Sequence, residues 1–334
     1  FKLKGDFLMK LGILGTGMIV KDLLSTINKL PIESVEILGT ERSKEKTIEL
    51  YKEYNMKAYH FDYDDLLKSD IDTVYVALPN HLHYEFAKRA LENDKHVIIE
   101  KPITSNYSEL KELIKIASER NLIILEAVNV HYLPAFKELK SSILEIGKPK
   151  IVSLNYSQYS SRYDSFKNGI ILPAFDYKKS GGALMDLNVY NINFIVSLFG
   201  KPKEVQYMAN IENKIDTSGI LLMDYNEFKA VCIGAKDCKA PVVSTIQGDK
   251  GNFRLNMPVG QLVSYELNYN TGECEEFKIE NPEHRLYYEF VEFIRIINEK
   301  DFVKAKNMLE ISIIVSEIME KARKQQGVIF ENDK

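Results

Sequence analysis

The sequence predicts an α/β protein in which a doubly wound parallel sheet is followed by an α+β domain with a mostly antiparallel sheet. Strand-like apolar runs alternate with helical patterns from Met9 to about Glu126, an order typical of parallel sheets with crossover helices. A Gly-Thr-Gly turn at 15–17 joins the first strand to the first helix. Beyond Glu126 the chain changes to alternating runs separated by hairpin-type turns.

The spacing of apolar residues and the capping residues define the elements of the first half. Leu11, Ile13 and Leu14 form an apolar run long enough for one buried strand. Ser43 is placed to cap the second helix. Further strands are predicted at 35–39, 72–78, 97–99 and 122–125, and helices after Gly17 and at 43–54, 62–68, 83–92 and 105–120.

The second half reads as a sheet with helices on one face. A helix is predicted at 133–145, and a second helix at 183–199 is ended by Gly200 and Pro202. Strands are predicted at 151–159, 205–211, 218–225, 228–233, 242–247, 252–256 and 262–267, and closing helices at 284–298 and 303–324. We therefore expect a first domain at 9–127 and a second at 128–334.

Composition excludes several classes of protein. The chain has 334 residues, 45% hydrophobic residues and a net charge of −4 without a basic stripe, which argues against nucleic-acid binding. Three cysteines fit neither a zinc site nor a disulfide framework, so we expect a reducing cytoplasm. We find no apolar run of membrane-spanning length. Residues 1–8 precede a plausible start at Met9 and lack a signal-peptide pattern.

The glycine turn is a candidate dinucleotide site. Gly15 suits the tight turn, and Gly17 lets the backbone approach a pyrophosphate at the start of the helix, near Thr16, Met18 and Ile19. The third glycine of this fingerprint is replaced by Val20, which loosens the match. A glycine turn in another kind of α/β unit is the alternative.

Two further motifs carry ionisable groups. Glu100, Lys101 and Pro102 follow a parallel strand, at the sheet edge where ligands bind. Lys101 could donate a hydrogen bond to a hydroxyl or carbonyl group and favour an alkoxide; the alternative is a surface lysine.

Asp186 and Tyr190 are four residues apart and share a helix face. Their alternative is a core tyrosine beside a surface carboxylate.

The chain resembles the Gfo/Idh/MocA oxidoreductases in four stretches with a specific order and spacing. These stretches are 12–20, 78–102, 126–134 and 181–190. The resemblance implies an N-terminal Rossmann domain and a C-terminal α+β domain with an open-faced sheet. It also implies NAD or NADP, hydride transfer to or from a sugar, polyol or dihydrodiol-like carbon, and homo-oligomers, dimers or tetramers, that pack through that sheet.

The resemblance also implies roles for particular residues. Lys101 would be catalytic, Asp186 would orient substrate, and Tyr190 would occupy the proton-donor position. Asn188 departs from the family's common glycine, and Asp94 replaces a turn glycine. Residues expected to contact the cofactor, besides the glycine turn, are Leu78, Pro79, Asn80, His83, Glu100 and Lys101. The alternative for His83 is a residue at the start of a helix that makes local hydrogen bonds. Residues expected to contact substrate are His131, Arg162, Lys179 and Tyr190. The alternatives are a packed interdomain histidine at His131 and solvated loop residues at Arg162 and Lys179. No metal site is predicted, because no third ligand accompanies His81 and His83.

Two neighbouring residues give conflicting indications of whether the cofactor is NAD or NADP. Glu41 lies close to where an acid would bind the ribose 2′-hydroxyl of NAD, whereas the adjacent Arg42 could stack on the adenine or pair with the 2′-phosphate of NADP. From these two residues we favour NAD.

Two alternatives to a dehydrogenase or reductase stay open. One is a glycosidase that oxidises its substrate transiently with bound NAD, and the other is a dinucleotide-binding sensor without catalysis.

Overall fold

A computed structural model describes residues 9–333, so the expectation about 1–8 lies outside the described residues. The chain divides into two compact units. Unit 1 contains the chain through Thr104, Ser108–Ala127 and Leu286–Glu310. Unit 2 contains Ser105–Tyr107, Val128–Arg285 and the chain from Ile311 onward. Our expected boundaries place all of 128–334 in the second domain, whereas Leu286–Glu310 belongs to unit 1.

Unit 1 is built on a six-stranded sheet in which every pair is parallel, with the order β3-β2-β1-β4-β5-β6. Its strands are β1 (Met9–Leu14), β2 (Ile32–Leu38), β3 (Ala58–His60), β4 (Thr73–Val76), β5 (His96–Glu100) and β6 (Ile124–Ala127). The helices of this half are α1 (Met18–Leu24), α2 (Lys44–Glu53), α3 (Tyr63–Lys68), α4 (His83–Glu92) and α5 (Tyr107–Arg120). The predicted doubly wound parallel sheet is confirmed.

The central strands of this sheet are apolar because both of their faces are buried. Every residue of β4 is buried, as are Val97, Ile98 and Ile99 of β5. β1 pairs with β2 on one side and with β4 on the other, so the order of strands reverses there. Ligands of open α/β sheets bind at the carboxyl ends of strands beside such a switch point.

Unit 2 contains an eight-stranded sheet with the order β14-β13-β12-β11-β7-β10-β9-β8. The strands are β7 (Pro149–Ser157), β8 (Glu204–Glu212), β9 (Ile215–Asp224), β10 (Lys229–Ala235), β11 (Ser244–Gly248), β12 (Gly251–Leu255), β13 (Ser264–Tyr269) and β14 (Cys274–Lys278). The pair β7–β10 is parallel and the other pairs are antiparallel. This confirms the mostly antiparallel second sheet.

Helices complete the chain. They are α6 (Pro134–Ser141), α7 (Tyr163–Lys167), α8 (Val189–Phe199), α9 (Arg285–Asn298) and α10 (Phe302–Gln325). α9 covers the first sheet through Phe290, whose ring lies edge-on to Tyr75 of β4 with centroids 5.1 Å apart. This apolar contact explains why Leu286–Glu310 is part of unit 1.

Several predicted bounds were wrong. The predicted helix 133–145 ends at Ser141 and continues as a 3₁₀ turn, Ile143–Ile146. The predicted helix 183–199 begins with a π-helical turn, Leu184–Asn188. Two strands were missed because their sequences do not alternate. β3 has only three residues, and β14 is an edge strand rich in charge, as protected edges often are.

The stretch Tyr177–Phe199 corrects the expectation that no run reaches membrane-spanning length. It is long and apolar enough to cross a membrane by length and composition only. Of its most apolar window, 67% is buried inside the protein. The core helix of a globular domain meets the same criteria, so the finding is weak evidence for a membrane span.

Candidate functional site

The turn between β1 and α1 leaves room for a phosphate group. Gly15 has a φ of +105°, and a Cβ there would lie 2.7 Å from the Ala77 carbonyl oxygen. Its N–H donates to the Leu38 carbonyl at 3.0 Å. Gly17 is the N-cap of α1, and a Cβ there would meet no atom within 4 Å. The first amides of a helix lack intrahelical acceptors, so the turn suits a dinucleotide pyrophosphate.

The first turn of α1 divides between solvent and core. Met18 is 70% exposed and Ile19 is half-buried, whereas Val20 is completely buried. The side chain that replaces the third glycine therefore packs in the core. Thr16, between the two glycines, is half-buried.

A cleft of about 480 Å³ opens at this edge of the sheet. It is walled by the glycine turn, the end of β2, the start of α3 and one side of α4. Its lining residues are Gly15, Thr16, Leu38, Gly39, Thr40, Ser43, Phe61, Asp62, Tyr63, Leu78, Leu82, Phe86 and Arg89. Sequence reasoning named Gly15, Thr16 and Leu78 and missed the rest, because the other wall residues come from segments without a recognisable motif.

Arg89 and Tyr63 form one wall of the cleft. The guanidinium carbon of Arg89 lies 4.8 Å from the Tyr63 ring centroid, and its Nη2 lies 2.5 Å from Asp64 Oδ1. Burial raises the pKa of Tyr63 above its ordinary value. Such a flat cation–aromatic wall can stack against an aromatic base.

Glu41 and Arg42 follow β2 but do not line the cleft. Both are exposed, and the Glu41 carboxylate lies 3.6 Å from Lys44 Nζ with 74% of its side chain in solvent. The hydroxyls of Thr40 and Ser43 face each other at 3.1 Å and do belong to the cleft wall. The structure thus brings hydroxyl groups, and not the Glu41 carboxylate, to this wall.

The loop that carries Lys101 is fixed by buried side chains. The Tyr75 hydroxyl donates to Glu100 Oε1, and Glu126 Oε1 accepts from the Ile103 N–H at 3.0 Å. Glu100 and Glu126 are 8% and 6% exposed, while Lys101 is half-buried. The peptide bond between Lys101 and Pro102 is cis. Lys101 therefore stands on a well-supported loop at the carboxyl end of β5.

His83 supports the same loop from inside. Its Nδ1 lies 2.9 Å from the Pro102 carbonyl and its Nε2 lies 2.8 Å from the Leu78 carbonyl. The residue is 0% exposed, and burial lowers its pKa to about 4 against the opposing effect of the two carbonyls. This differs from our expectation of a cofactor contact, because no part of the side chain is open to a ligand. Pro79 is exposed and Asn80 is half-buried in the loop beside it.

In unit 2, the residues around Asp186 adopt a π-helical turn. Asp186 lies inside Leu184–Asn188, and Tyr190 follows in the first turn of α8. π turns are rare and frequent at functional sites. Asn188, which stands where the family commonly has glycine, is completely buried, and its Nδ2 donates to the Cys232 carbonyl at 3.1 Å. Gly234 provides the space, since a Cβ there would lie 2.9 Å from Asn188 Cβ.

Lys236 is a polar residue of this site that sequence reasoning missed. Its Nζ lies 2.7 Å from Asp186 Oδ2, and only 2% of its side chain is exposed, against 35% for Asp186. The two residues are fifty positions apart. No spacing motif connects them, and a lysine at the end of a strand is ordinarily solvent-exposed.

Tyr190 is half-buried in a polar and aromatic setting. Its ring centroid lies 6.0 Å from that of Tyr156. On another side lies Gly260, whose carbonyl accepts from Asn129 Nδ2 at 2.9 Å. The phenol therefore belongs to a partly exposed site and is not a fully buried core tyrosine.

The three expected substrate contacts outside this turn have different surroundings. Half-buried His131 is held by Asn193, with 3.0 Å between Nε2 and Oδ1. Because Asn193 Nδ2 donates to the Val189 carbonyl, its oxygen faces the imidazole, and His131 Nε2 donates. Arg162 is exposed at the start of α7, and Lys179 is half-buried in a 3₁₀ turn. Their contact with substrate stays a prediction.

Within residues 9–333 no group of three or more His, Cys, Asp or Glu side chains could hold a metal ion. Cys232 is buried and Cys238 and Cys274 are exposed, all as free thiols. Each unit thus carries its own ionisable candidates: Lys101 in unit 1, and Asp186, Tyr190 and Lys236 in unit 2.

Comparisons with known proteins identify the family of this chain. Residues 9–128 match the family model for the oxidoreductase family with an NAD-binding Rossmann fold, and residues 141–254 match the GFO/IDH/MocA C-terminal domain. The chain is 34% identical over 331 residues to scyllo-inositol 2-dehydrogenase (NADP(+)) IolU of Bacillus subtilis, covering 98% of this chain and 99% of the relative.

More distant proteins match over the same span. Trans-1,2-dihydrobenzene-1,2-diol dehydrogenase of Mus musculus is 24% identical, covering 98% of this chain and 99% of that protein. The crystal structure of KijD10, a 3-ketoreductase from Actinomadura kijaniata in complex with NADP and TDP-benzene, has a TM-score of 0.81 at 19% identity. It covers 97% of this chain and 99% of KijD10 and shows a common fold. The chain belongs to the Gfo/Idh/MocA family of NAD(P)-dependent oxidoreductases.

Proposed function

We propose that this protein oxidises a secondary hydroxyl of a cyclic polyol or sugar, or reduces the corresponding ketone, with NADP(H). One observation carries the proposal: the carboxyl edge of the parallel sheet presents both a phosphate-admitting glycine turn and the half-buried Lys101. The relative with the highest identity quoted above is named for scyllo-inositol, a cyclic polyol, which supports the substrate class.

The residues of unit 1 fit a dinucleotide. The open space at Gly17 would admit the pyrophosphate, with Thr16, Met18 and Ile19 beside it. The cleft lined by Arg89 and Tyr63 would take the adenosine half, and the Leu78-Pro79-Asn80 loop with Lys101 would border the nicotinamide half. When bound, the nicotinamide supplies the hydride donor or acceptor.

The proposal of NADP replaces the preference for NAD that Glu41 suggested. The Glu41 carboxylate is largely solvent-exposed next to Lys44, while Thr40 and Ser43 line the cleft and Arg42 is close in sequence. Hydroxyl and cationic groups suit a 2′-phosphate, which a carboxylate would repel. IolU is named for NADP(+).

The Arg42→Ala substitution tests this choice of cofactor. It should raise the Kd for NADP about 10-fold and leave the Kd for NAD unchanged. Fluorescence titration with both cofactors measures the two constants, and Glu41→Ala is the comparison.

The chain's own groups would move the proton. As the phenolate, Tyr190 would accept the hydroxyl proton of the polyol during oxidation, and as the resulting phenol it would return that proton during reduction. Lys101 would donate a hydrogen bond to the substrate oxygen and stabilise its negative charge. Asp186 would accept a hydrogen bond from a substrate hydroxyl and so fix the ring. His131, Arg162 and Lys179 are proposed to contact the remaining hydroxyls.

The decisive experiment follows absorbance of the reduced nicotinamide with a panel of inositols and sugars. We expect turnover by the wild type, and Lys101→Ala should lower kcat about 100-fold with cofactor affinity retained. Lys115→Ala is the matched control, since Lys115 is 75% exposed on α5. Substrate cleavage without net cofactor reduction would indicate a glycosidase, and cofactor binding without any turnover would indicate a sensor.

We further propose that two copies associate through the exposed face of the second sheet. Met208 pairs with Ile220 across β8 and β9, and these side chains are 60% and 43% exposed, as is Leu222 at 43%. A contiguous exposed apolar patch of this kind favours association.

Light scattering should give a dimer or tetramer for the wild type and a smaller species for Ile220→Lys. Leu144→Lys, at an 82% exposed position outside the sheet, is the control. We also propose a reducing compartment, because the three cysteines fit neither a disulfide framework nor a zinc site.

A further inference from the structure

Lys236 places a buried ammonium group against Asp186. It follows β10, and its Nζ donates to Asp186 Oδ2 at 2.7 Å and to the Ala174 carbonyl at 2.9 Å. The same Nζ lies 4.6 Å from the Phe175 ring centroid. An ammonium is rarely buried without a paired carboxylate, because losing its hydration is strongly unfavourable. The ion pair therefore explains why a lysine is tolerated here.

The backbones that carry the two charges are tied together. Asn188 and Asn191 donate side-chain hydrogen bonds to the carbonyls of Cys232 and Ile233 in β10, each at 3.1 Å. Beyond the strand, the Lys236 N–H donates to the Thr217 carbonyl at 2.9 Å. The turn that bears Asp186 and the strand that precedes Lys236 are thus held in fixed register. This fixes the geometry of the ion pair before any ligand binds.

The neighbouring acids Asp216 and Asp237 hydrogen-bond to groups other than the Lys236 ammonium. Asp216 is buried, its Oδ2 accepts from the Leu184 N–H and the Tyr207 hydroxyl, and burial raises its pKa to about 6. Asp237 Oδ2 accepts from the hydroxyls of Thr217 and Ser218, each at 2.7 Å. Among these acids, Asp186 is the one within hydrogen-bond distance of Lys236 Nζ.

We propose that Lys236 is a positioning residue that keeps Asp186 ionised and fixed in one orientation, so that Asp186 can only accept hydrogen bonds from the substrate. This inference rests on the proposed function. Lys236 is 2% exposed and acts through Asp186, whereas the 35% exposed Asp186 side chain reaches the solvent side of the site. Without the ammonium, Asp186 would lose this hydrogen bond and the adjacent positive charge, and the substrate ring would lose a fixed acceptor.

The test is a double-mutant cycle on the full-length protein, with turnover of a polyol as the readout. Lys236→Met should lower kcat by about 10- to 100-fold, as misplacement of a substrate-orienting group does. The Kd for NADP should not change. Asp186→Asn should lower kcat by a similar factor, and the double variant should be no slower than Asp186→Asn alone. Lys236→Arg should recover part of the loss, because it restores the charge.

Controls separate this role from a merely structural one. Lys201→Met removes the surface ion pair with Glu317 and should leave kcat unchanged. If Lys236→Met does not fold, Lys236→Gln, which keeps a donor for the Ala174 carbonyl, should show the same loss of kcat. Wild-type kcat in a folded Lys236 variant, or multiplicative losses in the double variant, would overturn the inference. A wild type inactive towards every polyol and sugar would instead contradict the proposed function.

Discussion

The cofactor turn of unit 1 and the polar site of unit 2 are built by different means, and we call them the backbone half and the side-chain half of the protein. In unit 1, the cofactor turn is made of backbone: Gly15 and Gly17 create space and expose amides within three consecutive residues. In unit 2, the polar site is made of side chains that meet from distant segments, such as Asp186 and Lys236. A turn formed by consecutive residues has a short motif in the sequence, whereas a network of side chains from distant segments has none. The following predictions test this contrast, beginning with the largest effect.

The largest effect is expected in the side-chain half. Tyr190→Phe removes the proposed proton-transfer group and should lower kcat by about 1,000-fold, within the range for lost acid–base catalysis. NADP affinity and thermal stability should stay near wild type. Tyr156→Phe, whose ring lies 6.0 Å away, is the control. Steady-state kinetics of the two variants decide the matter, and equal losses in both would remove Tyr190 from its assigned role.

The backbone half should respond to the smallest added group. Gly15→Ala adds a Cβ 2.7 Å from the Ala77 carbonyl at a φ of +105°, so the turn must shift, and the Kd for NADP should rise about 100-fold. Gly17→Ala adds a Cβ in open space and should leave the melting temperature of the free protein unchanged. Calorimetric titration and thermal melts measure both. Unaltered NADP binding by Gly15→Ala would break the proposed link between turn geometry and phosphate binding.

Asn188 tests the support of the side-chain half. Asn188→Ala leaves the buried Cys232 carbonyl without this donor and removes the acceptor of Asn191, so the free energy of unfolding should fall by about 2 kcal/mol. Urea unfolding measures the change, and the exposed Asn270→Ala is the comparison. A variant as stable as the wild type would show that these hydrogen bonds are dispensable.

The smallest effect concerns pH and the support of the Lys101 loop. The folded-state pKa of His83 lies at about 4, below its ordinary value. The unfolded chain therefore binds this proton first as pH falls, and His83 costs stability between pH 6.5 and 4. From pH 7 to 5.5, this contribution is about 1 kcal/mol. Urea unfolding at pH 7 and pH 5.5 should show that His83→Gln loses that much less stability than the wild type over this range, and an equal loss in both proteins would contradict this role of His83.

Sequence patterns sufficed for features set by local chemistry. The parallel sheet, the glycine turn and the strand before Lys101 each depend on residues close in sequence. The position of Asn188 against Gly234 and the burial of Lys236 depend on pairings across a sheet. Such pairings require knowledge of which strands are neighbours. His83 shows a related limit, because its motif indicated proximity to the cofactor while its side chain turned inward to two carbonyls.

Leu286–Glu310 lies late in the chain but belongs to unit 1, and this has a consequence for synthesis on the ribosome. Phe290 and Phe293 are both 0% exposed, and Phe290 covers Tyr75 of β4. A nascent chain released only as far as Ala127 therefore lacks part of the apolar cover of its first sheet. That apolar surface stays exposed until more than 150 further residues have been translated. The first sheet is therefore fully covered only when the late part of the chain has been synthesised.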